Sequence, residues 1–212
     1  MSDHFQEIYD RLFARFGPQQ WWPGETPLEV MVGAVLTQNT NWQNVEKAIE
    51  NLKEAGLLSF QALLELPTAE LAWQIKPSGY YNIKAGRLHN LLQMIAERYE
   101  GELDLLLAQS TADARQALLS VKGVGPETAD SILLYAGGHP TFVVDSYTHR
   151  IFSRHQLVDE VTDYHSIQDR FHDQLPLDSR LFNEYHALIV AAAKTYCKKK
   201  NPDCDHCPLN GI

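Results

Sequence analysis

Val121-Lys122-Gly123-Val124-Gly125-Pro126-Glu127-Thr128-Ala129-Asp130 reads as a glycine turn that opens a helix. Gly123 and Gly125 allow positive φ and close approach of a ligand to the backbone. Val124 between them is placed to anchor the turn in a core. Pro126 suits the first position of the helix that follows. The free N–H groups and dipole of that helix then point at the turn and favour an anion there. An ordinary helix–glycine–helix connection has the same pattern, and a short glycine motif alone does not separate the two.

Outward from this turn, nearly every segment carries helical periodicity. Before it, residues 111–121 read as helix; after it, residues 126–136 do. Phe5, Ile8, Tyr9, Leu12, Phe13 and Phe16 form one apolar stripe that Gly17-Pro18 stops. Thr26-Pro27-Leu28-Glu29 is a capping box with proline at the first helical position. Thr40-Asn41-Trp42-Gln43 begins another helix, with Val45, Ala48, Ile49 and Leu52 on its inner face. Short helices are expected over 59–66 and 68–75. A longer one spans 81–99, with Ile83, Leu88, Leu91, Leu92 and Ile95 inward. Further helices are expected over 145–155, 163–175 and 179–197. Thr141-Phe142-Val143-Val144 is strand-like but short. The fold class is all-α.

At 212 residues, with 44% hydrophobic and 21% charged content, the chain has the make-up of a soluble globular protein of one large or two small domains. No apolar run is as long as a membrane span, and Met1-Ser2-Asp3-His4 lacks the pattern of a signal peptide. No membrane partner is expected, and the cytoplasm is the expected compartment. The formal net charge of -9 argues mildly against a nucleic-acid partner. A local basic patch or backbone N–H groups can still bind phosphate. All three cysteines fall in the last 16 residues, which suits metal chemistry in a reducing compartment better than a disulfide scaffold.

Asp145 follows the apolar run and precedes Ser146-Tyr147-Thr148-His149-Arg150, a strand-to-helix junction. An aspartate there is a common N-cap. The cap and a chemical role are compatible, since a helix N-terminus keeps the carboxylate ionised.

With Asp145 eighteen residues beyond Glu127, the turn resembles that of the helix-hairpin-helix (HhH-GPD) DNA glycosylases of the endonuclease III type. Thr37-Gln38-Asn39-Thr40 and Gly79-Tyr80-Tyr81-Asn82-Ile83-Lys84-Ala85 match the same superfamily, and the resemblance runs in order along essentially the whole chain. It implies two helical domains. One is a six-helix barrel with the hairpin over 24–136. The other is discontinuous, 1–23 with 137–212, and carries a cysteine-rich metal loop. The implied partner is double-stranded DNA containing a damaged base, bound by a monomer associated with the nucleoid.

Trp21-Trp22-Pro23 and the aromatic after Gln38-Asn39-Thr40 are most similar to the endonuclease-III-like 3-methyladenine DNA glycosylases. That resemblance makes Trp21, Trp22, Pro23 and Trp42 the base pocket, where aromatic faces stack on a flipped, electron-poor purine. Tryptophans packing a core give the same residues. Gln38 resembles the side chain that fills the gap left by the flipped base; a turn residue capping the next helix is the plainer alternative. Lys122, Gly123 and Gly125 would meet phosphate. Asp145 is the implied catalytic carboxylate, steadying the sugar cation and directing water. Glu127 stands where strand-cutting relatives carry a Schiff-base lysine. The implied enzyme is therefore a monofunctional N-glycosylase acting on an alkylated purine such as 3-methyladenine. A bifunctional glycosylase/AP lyase and a non-catalytic lesion- or abasic-DNA-binding module are the alternatives.

Cys197, Cys204 and Cys207 follow C-x6-C-x2-C, the spacing that in endonuclease III belongs to a [4Fe–4S] cluster. The fourth cysteine of that pattern would be residue 213. The fourth ligand is that residue or a non-cysteine group, unless no cluster forms; His206, wedged between two cysteines, is poorly placed. A zinc site and a C-x-x-C redox pair remain open readings. The 3-methyladenine subgroup most similar at the pocket lacks these cysteines, so the chain joins two signatures. Lys198-Lys199-Lys200 lies in the cysteine loop and resembles a phosphate contact, which Lys194 and Arg150 extend; a solvated charge run is the alternative.

Overall fold

The computed structural model describes residues 4–21 and 24–212. Among these the regular structure is helical throughout, with no strand. Among the described residues no helix is long and apolar enough to cross a membrane. The chain divides into two compact units, Met1–Trp21 with His139–Ile212, and Trp22–Gly138.

The Trp22–Gly138 unit contains α2 (Pro27–Leu36), α3 (Trp42–Glu54), α4 (Phe60–Glu65), α5 (Thr68–Gln74), α6 (Tyr81–Tyr99), α7 (Leu103–Leu107), α8 (Thr111–Leu119) and α9 (Pro126–Ser131). Side-chain caps set several starts. Thr26 accepts from Glu29 N–H, Asn41 from Asn44, Ser59 from Ala62 and Ser110 from Asp113. The Glu29 carboxylate pairs with Lys53 Nζ at 3.0 Å, joining α2 to α3. The core gathers Met31, Val35, Leu52, Leu88, Leu92 and Leu118, all fully buried.

α9 runs into a π-helical turn, Ile132–Ala136. At its last residue the Ser131 hydroxyl donates to Glu127 O at 2.7 Å, a back-bond that loosens the helical ladder where the register widens. Arg115 of α8 grips Asp130 of α9 with two bonds of 2.7 and 3.1 Å, and Asp130 is fully buried. Arg115→Ala removes both of these bonds from a fully buried carboxylate. It should destabilise the protein by about 3–5 kcal/mol, read as a lower urea midpoint; an unchanged midpoint would contradict the pairing.

One expectation needs correction here, and one helix was not anticipated. Ile83 is 55% exposed, not inward. It sits in the first turn of α6, where Lys84 and Ala85 take the inner face instead. The short helix α7 had no sequence signal, because Glu102-Leu103-Asp104-Leu105-Leu106-Leu107 carries neither a cap nor a clean period.

The other unit contains α1 (His4–Phe16), α10 (Ser146–Arg154), α11 (Tyr164–Gln174) and α12 (Ser179–Thr195). α1 packs along α12, and Tyr185 donates to Phe5 O at 2.7 Å. Phe5, Phe142, Phe152, Phe171 and Tyr185 form an aromatic core of edge, tilted and stacked pairs.

The strand-like run 141–144 is extended and buried but joins no sheet. α11 supplies its hydrogen bonds from side chains. Phe142 N–H donates to His172 Nε2 at 2.9 Å, and Gln168 Nε2 donates to Phe142 O at 2.7 Å. The Tyr164 hydroxyl lies 3.4 Å from Val144 N–H. Side chains thus satisfy a backbone that a neighbouring strand would otherwise pair. The strap leads directly into Asp145.

Candidate active site and nucleic-acid contacts

Asp145 is the N-cap of α10. Its Oδ1 accepts from Thr148 N–H at 2.7 Å and from the Thr148 hydroxyl at 3.0 Å. Oδ2 faces Nε2 of His186 at 3.5 Å. The aspartate side chain is 13% exposed. Burial pushes its pKa up, but His186 and the Thr148 bonds outweigh burial and hold it below the ordinary 3.8. The carboxylate is therefore ionised through the neutral range.

His186 belongs to the inner face of α12 and is buried. The Trp21 ring lies against it at 5.6 Å between centroids, and Phe142 meets it edge-on at 6.5 Å. Sequence reasoning missed this histidine. Its only linear signal is a polar residue on the buried face of an apolar helix, Phe182-Asn183-Glu184-Tyr185-His186-Ala187-Leu188. Trp21 thus belongs to the surroundings of Asp145. Trp22 and Pro23 lie outside the described residues.

The hairpin is built within the other unit. Gly123 has φ +101°, and Val124 is buried as its anchor. Asn90 Nδ2 donates to Lys122 O at 3.0 Å. The Gly123 N–H, on the opposite edge of that trans peptide, is thereby turned away from Asn90. Lys122 and Gly125 are exposed.

Gln38 is locked onto this hairpin. Its Nε2 donates to Gly123 O at 3.1 Å and to the Thr128 hydroxyl at 2.9 Å, while Oε1 accepts from Arg87. Lys84 is buried beneath, with Nζ donating to Leu36 O at 2.8 Å and Ser78 O at 2.7 Å. Desolvation, with a smaller push from Arg87, lowers the Lys84 pKa to about 8. Its ammonium ties the end of α2 to the Gly79-Tyr80 turn. Tyr80 there is left-handed, at φ 47°, and 67% exposed.

Trp42 is the first residue of α3. Its ring lies over Gly33 of α2, where an added Cβ would stand 3.4 Å away. It also lines a hollow of about 280 Å³ with Gly24, Glu29, Glu46 and Lys53.

In the cysteine loop, α10 supplies two arginines one helical turn apart. Arg150 Nε donates to Cys197 O at 2.8 Å. Arg154 donates to Lys198 O at 2.8 Å, to Lys199 O at 3.2 Å and to Cys197 Sγ at 3.2 Å. The backbone is held inward, and Lys198, Lys199 and Lys200 are exposed. Burial pushes the Cys207 thiol up, and the nearby Cys197 and Cys204 push the same way. Among the described residues, however, no three His, Cys, Asp or Glu side chains stand at metal-binding separations. His206 Nδ1 is paired with Asp203 at 2.7 Å. The donor chemistry suits a thiolate-held metal, and the loop as it stands is more open than a closed ligand cage.

Residues 32–176 match the family described as HhH-GPD superfamily base excision DNA repair protein. A Methanocaldococcus jannaschii protein, named as a DNA repair glycosylase, is 47% identical over 204 residues, covering 96% of this chain and 92% of its own. Endonuclease III of Thermotoga maritima is 31% identical over 183 residues, covering 86% and 80%. Among solved structures, the H. pylori 3-methyladenine DNA glycosylase bound to 1,N6-ethenoadenine has a TM-score of 0.77 at 31% identity, over 89% of this chain and 96% of that one. A non-covalent endonuclease III–DNA complex has a TM-score of 0.84 at 22% identity, over 99% and 94%, and shares the fold. The chain belongs to the HhH-GPD superfamily of base excision DNA repair proteins.

Proposed function

We propose that the protein is a monofunctional DNA glycosylase that hydrolyses the N-glycosidic bond of a flipped, alkylated purine. The observation that carries this reading is Asp145: one ionised carboxylate, pinned at one oxygen and directed at the other. Water attacks C1′ as the C1′–N bond breaks. The bonding electrons leave with the base, and the proton of water passes to Asp145. An N3-alkylated purine carries positive charge in the nucleotide and departs neutral, so no separate acid is required.

Glu127 lies exposed in the first turn of α9. A carboxylate cannot form a Schiff base, which favours base removal without strand cutting. The 3-methyladenine enzyme among the similar structures supports the purine assignment, as do Trp21 and Trp42. Trp42 borders a hollow lined by Glu25, Glu29, Glu46 and Glu50 against one lysine, Lys53, which pairs with Glu29; the acidic excess suits a cationic ring. Lys122, Gly123, Gly125 and Lys198–Lys200 meet the phosphates. Gln38 fills the gap left by the flipped base by exchanging its hairpin bonds for bonds to the orphaned partner.

Duplexes each carrying one lesion, scored for base release with and without alkaline cleavage, test the reading. Release from 3-methyladenine, with strand breaks only after alkali, is expected. A covalent adduct trapped by borohydride on abasic DNA would instead establish the bifunctional alternative. Tight abasic-site binding without release from any duplex would establish a binding module.

Cys197, Cys204 and Cys207 would hold a [4Fe–4S] cluster with one further ligand; a zinc ion is the alternative. Either metal would fix the loop that displays Lys198–Lys200. About four irons per chain are expected, and Cys207→Ser should lose them and weaken DNA binding. One zinc per chain would select the alternative, and a metal-free protein would exclude both.

A further inference from the structure

We infer that His186 is a positioning residue for Asp145, fixing the plane of the carboxylate from the buried side. This rests on the glycosylase reading above.

The two oxygens of Asp145 are used differently. Oδ1 already accepts two bonds from Thr148. Oδ2 is therefore the oxygen left to meet water and sugar. Terminal sp³–sp² torsions are intrinsically broad, and the Thr148 bonds restrain the carboxyl plane from the Oδ1 side alone. His186 Nε2 stands 3.5 Å from Oδ2. A small rotation of the carboxyl closes that gap to hydrogen-bond length, and bonds of this kind commonly tighten only in the reacting complex.

The histidine itself is firmly seated. Its side chain is 7% exposed, Trp21 covers one side, and the edge contact with Phe142 comes from the strap that ends at Asp145. Other polar groups around this core have their own contacts. His172 of α11 accepts from Phe142 N–H, Tyr9 of α1 packs on Tyr185, and Glu184 accepts from Gln19 N–H. The Asp145 carboxylate meets the His186 ring through Oδ2. A misplaced catalytic group commonly costs two orders of magnitude in rate, so one orienting contact has a measurable effect.

Two polar replacements separate orientation from packing. In His186→Gln the amide nitrogen falls near the site of Nε2; in His186→Asn it falls short. We expect His186→Asn to slow single-turnover base release by about 10–100-fold, with affinity for abasic-site DNA unchanged. His186→Gln should restore most of the rate. In an Asp145→Asn background, His186→Asn should add less than about a twofold further loss, because its partner is gone. Equal rates for the two variants, or an undiminished loss in the Asp145→Asn background, would overturn the role of His186 while leaving the glycosylase reading intact. Absence of base release by the wild-type protein from every duplex would overturn that reading, and this role with it.

Discussion

Asp145→Asn should cut the rate of base release by about 100-fold or more while leaving the fold and abasic-DNA affinity in place. Asparagine is the informative replacement because it still caps a helix. The Thr148 N–H keeps an acceptor, so α10 keeps its start. What disappears is the negative charge that would face the sugar cation. A parallel loss of stability and DNA affinity would mean the carboxylate serves the fold alone, and near-normal release would remove it from the chemistry.

The pH profile adds a second check on Asp145. Its folded pKa is depressed below 3.8. The stability it contributes is fully present above 3.8 and is lost as pH falls through the lower folded value. Ionisation of this group should therefore set no acid limb in base release above pH 3.8. An acid limb that vanishes in the Asp145→Asn variant would contradict that electrostatic balance.

Gly123→Ala should destabilise the protein by about 2–5 kcal/mol, from positive-φ strain and overpacking together. At φ +101° a Cβ would stand 2.3 Å from Cγ of Arg87 and 2.9 Å from its Cδ. Arg87 cannot simply swing away, because its guanidinium holds Gln38. A fall of roughly 5–15 °C in Tm is expected for a chain of this size. Gly125→Ala is the contrasting case. Its backbone is extended, φ -98° and ψ 178°, and an added Cβ meets nothing within 4 Å. The fold gives no reason for glycine there; the phosphate contact proposed above does. Gly125→Ala should keep its Tm and lose about tenfold in DNA affinity, roughly 1.4 kcal/mol. Unchanged affinity would remove Gly125 from the phosphate contact.

The helices most readable in the sequence are those with local punctuation. Thr26, Asn41 and Ser59 each cap the helix they precede. α6 begins after Gly79-Tyr80 and ends at Tyr99, before Gly101, as its pattern predicts. Residues that act through distant partners were not readable. Lys84 reaches Leu36 across 48 positions, and Arg87 reaches Gln38 across 49. Nothing local marks either as buried or tied. His186 is the same case beside Asp145: it lies 41 positions further along the chain and looks, in one dimension, like a stray polar residue. Motifs carry the chemistry because backbone geometry at a turn is local. The surroundings that tune it depend on packing.

The packing of α1 on α12 has a consequence for biosynthesis. The bond from Tyr185 to Phe5 spans 180 positions. The hairpin-bearing unit is contiguous and can close as soon as its last helix has been translated. The unit with Asp145 cannot, because the partners of α1, which are α10, α11 and α12, all lie in the last third of the chain. Throughout that interval Phe5, Ile8 and Leu12, later buried, remain uncovered on the growing chain. The order of translation thus completes the unit with the hairpin before the one with Asp145. The N-terminal helix is the segment most exposed to chaperones and to premature association while it waits.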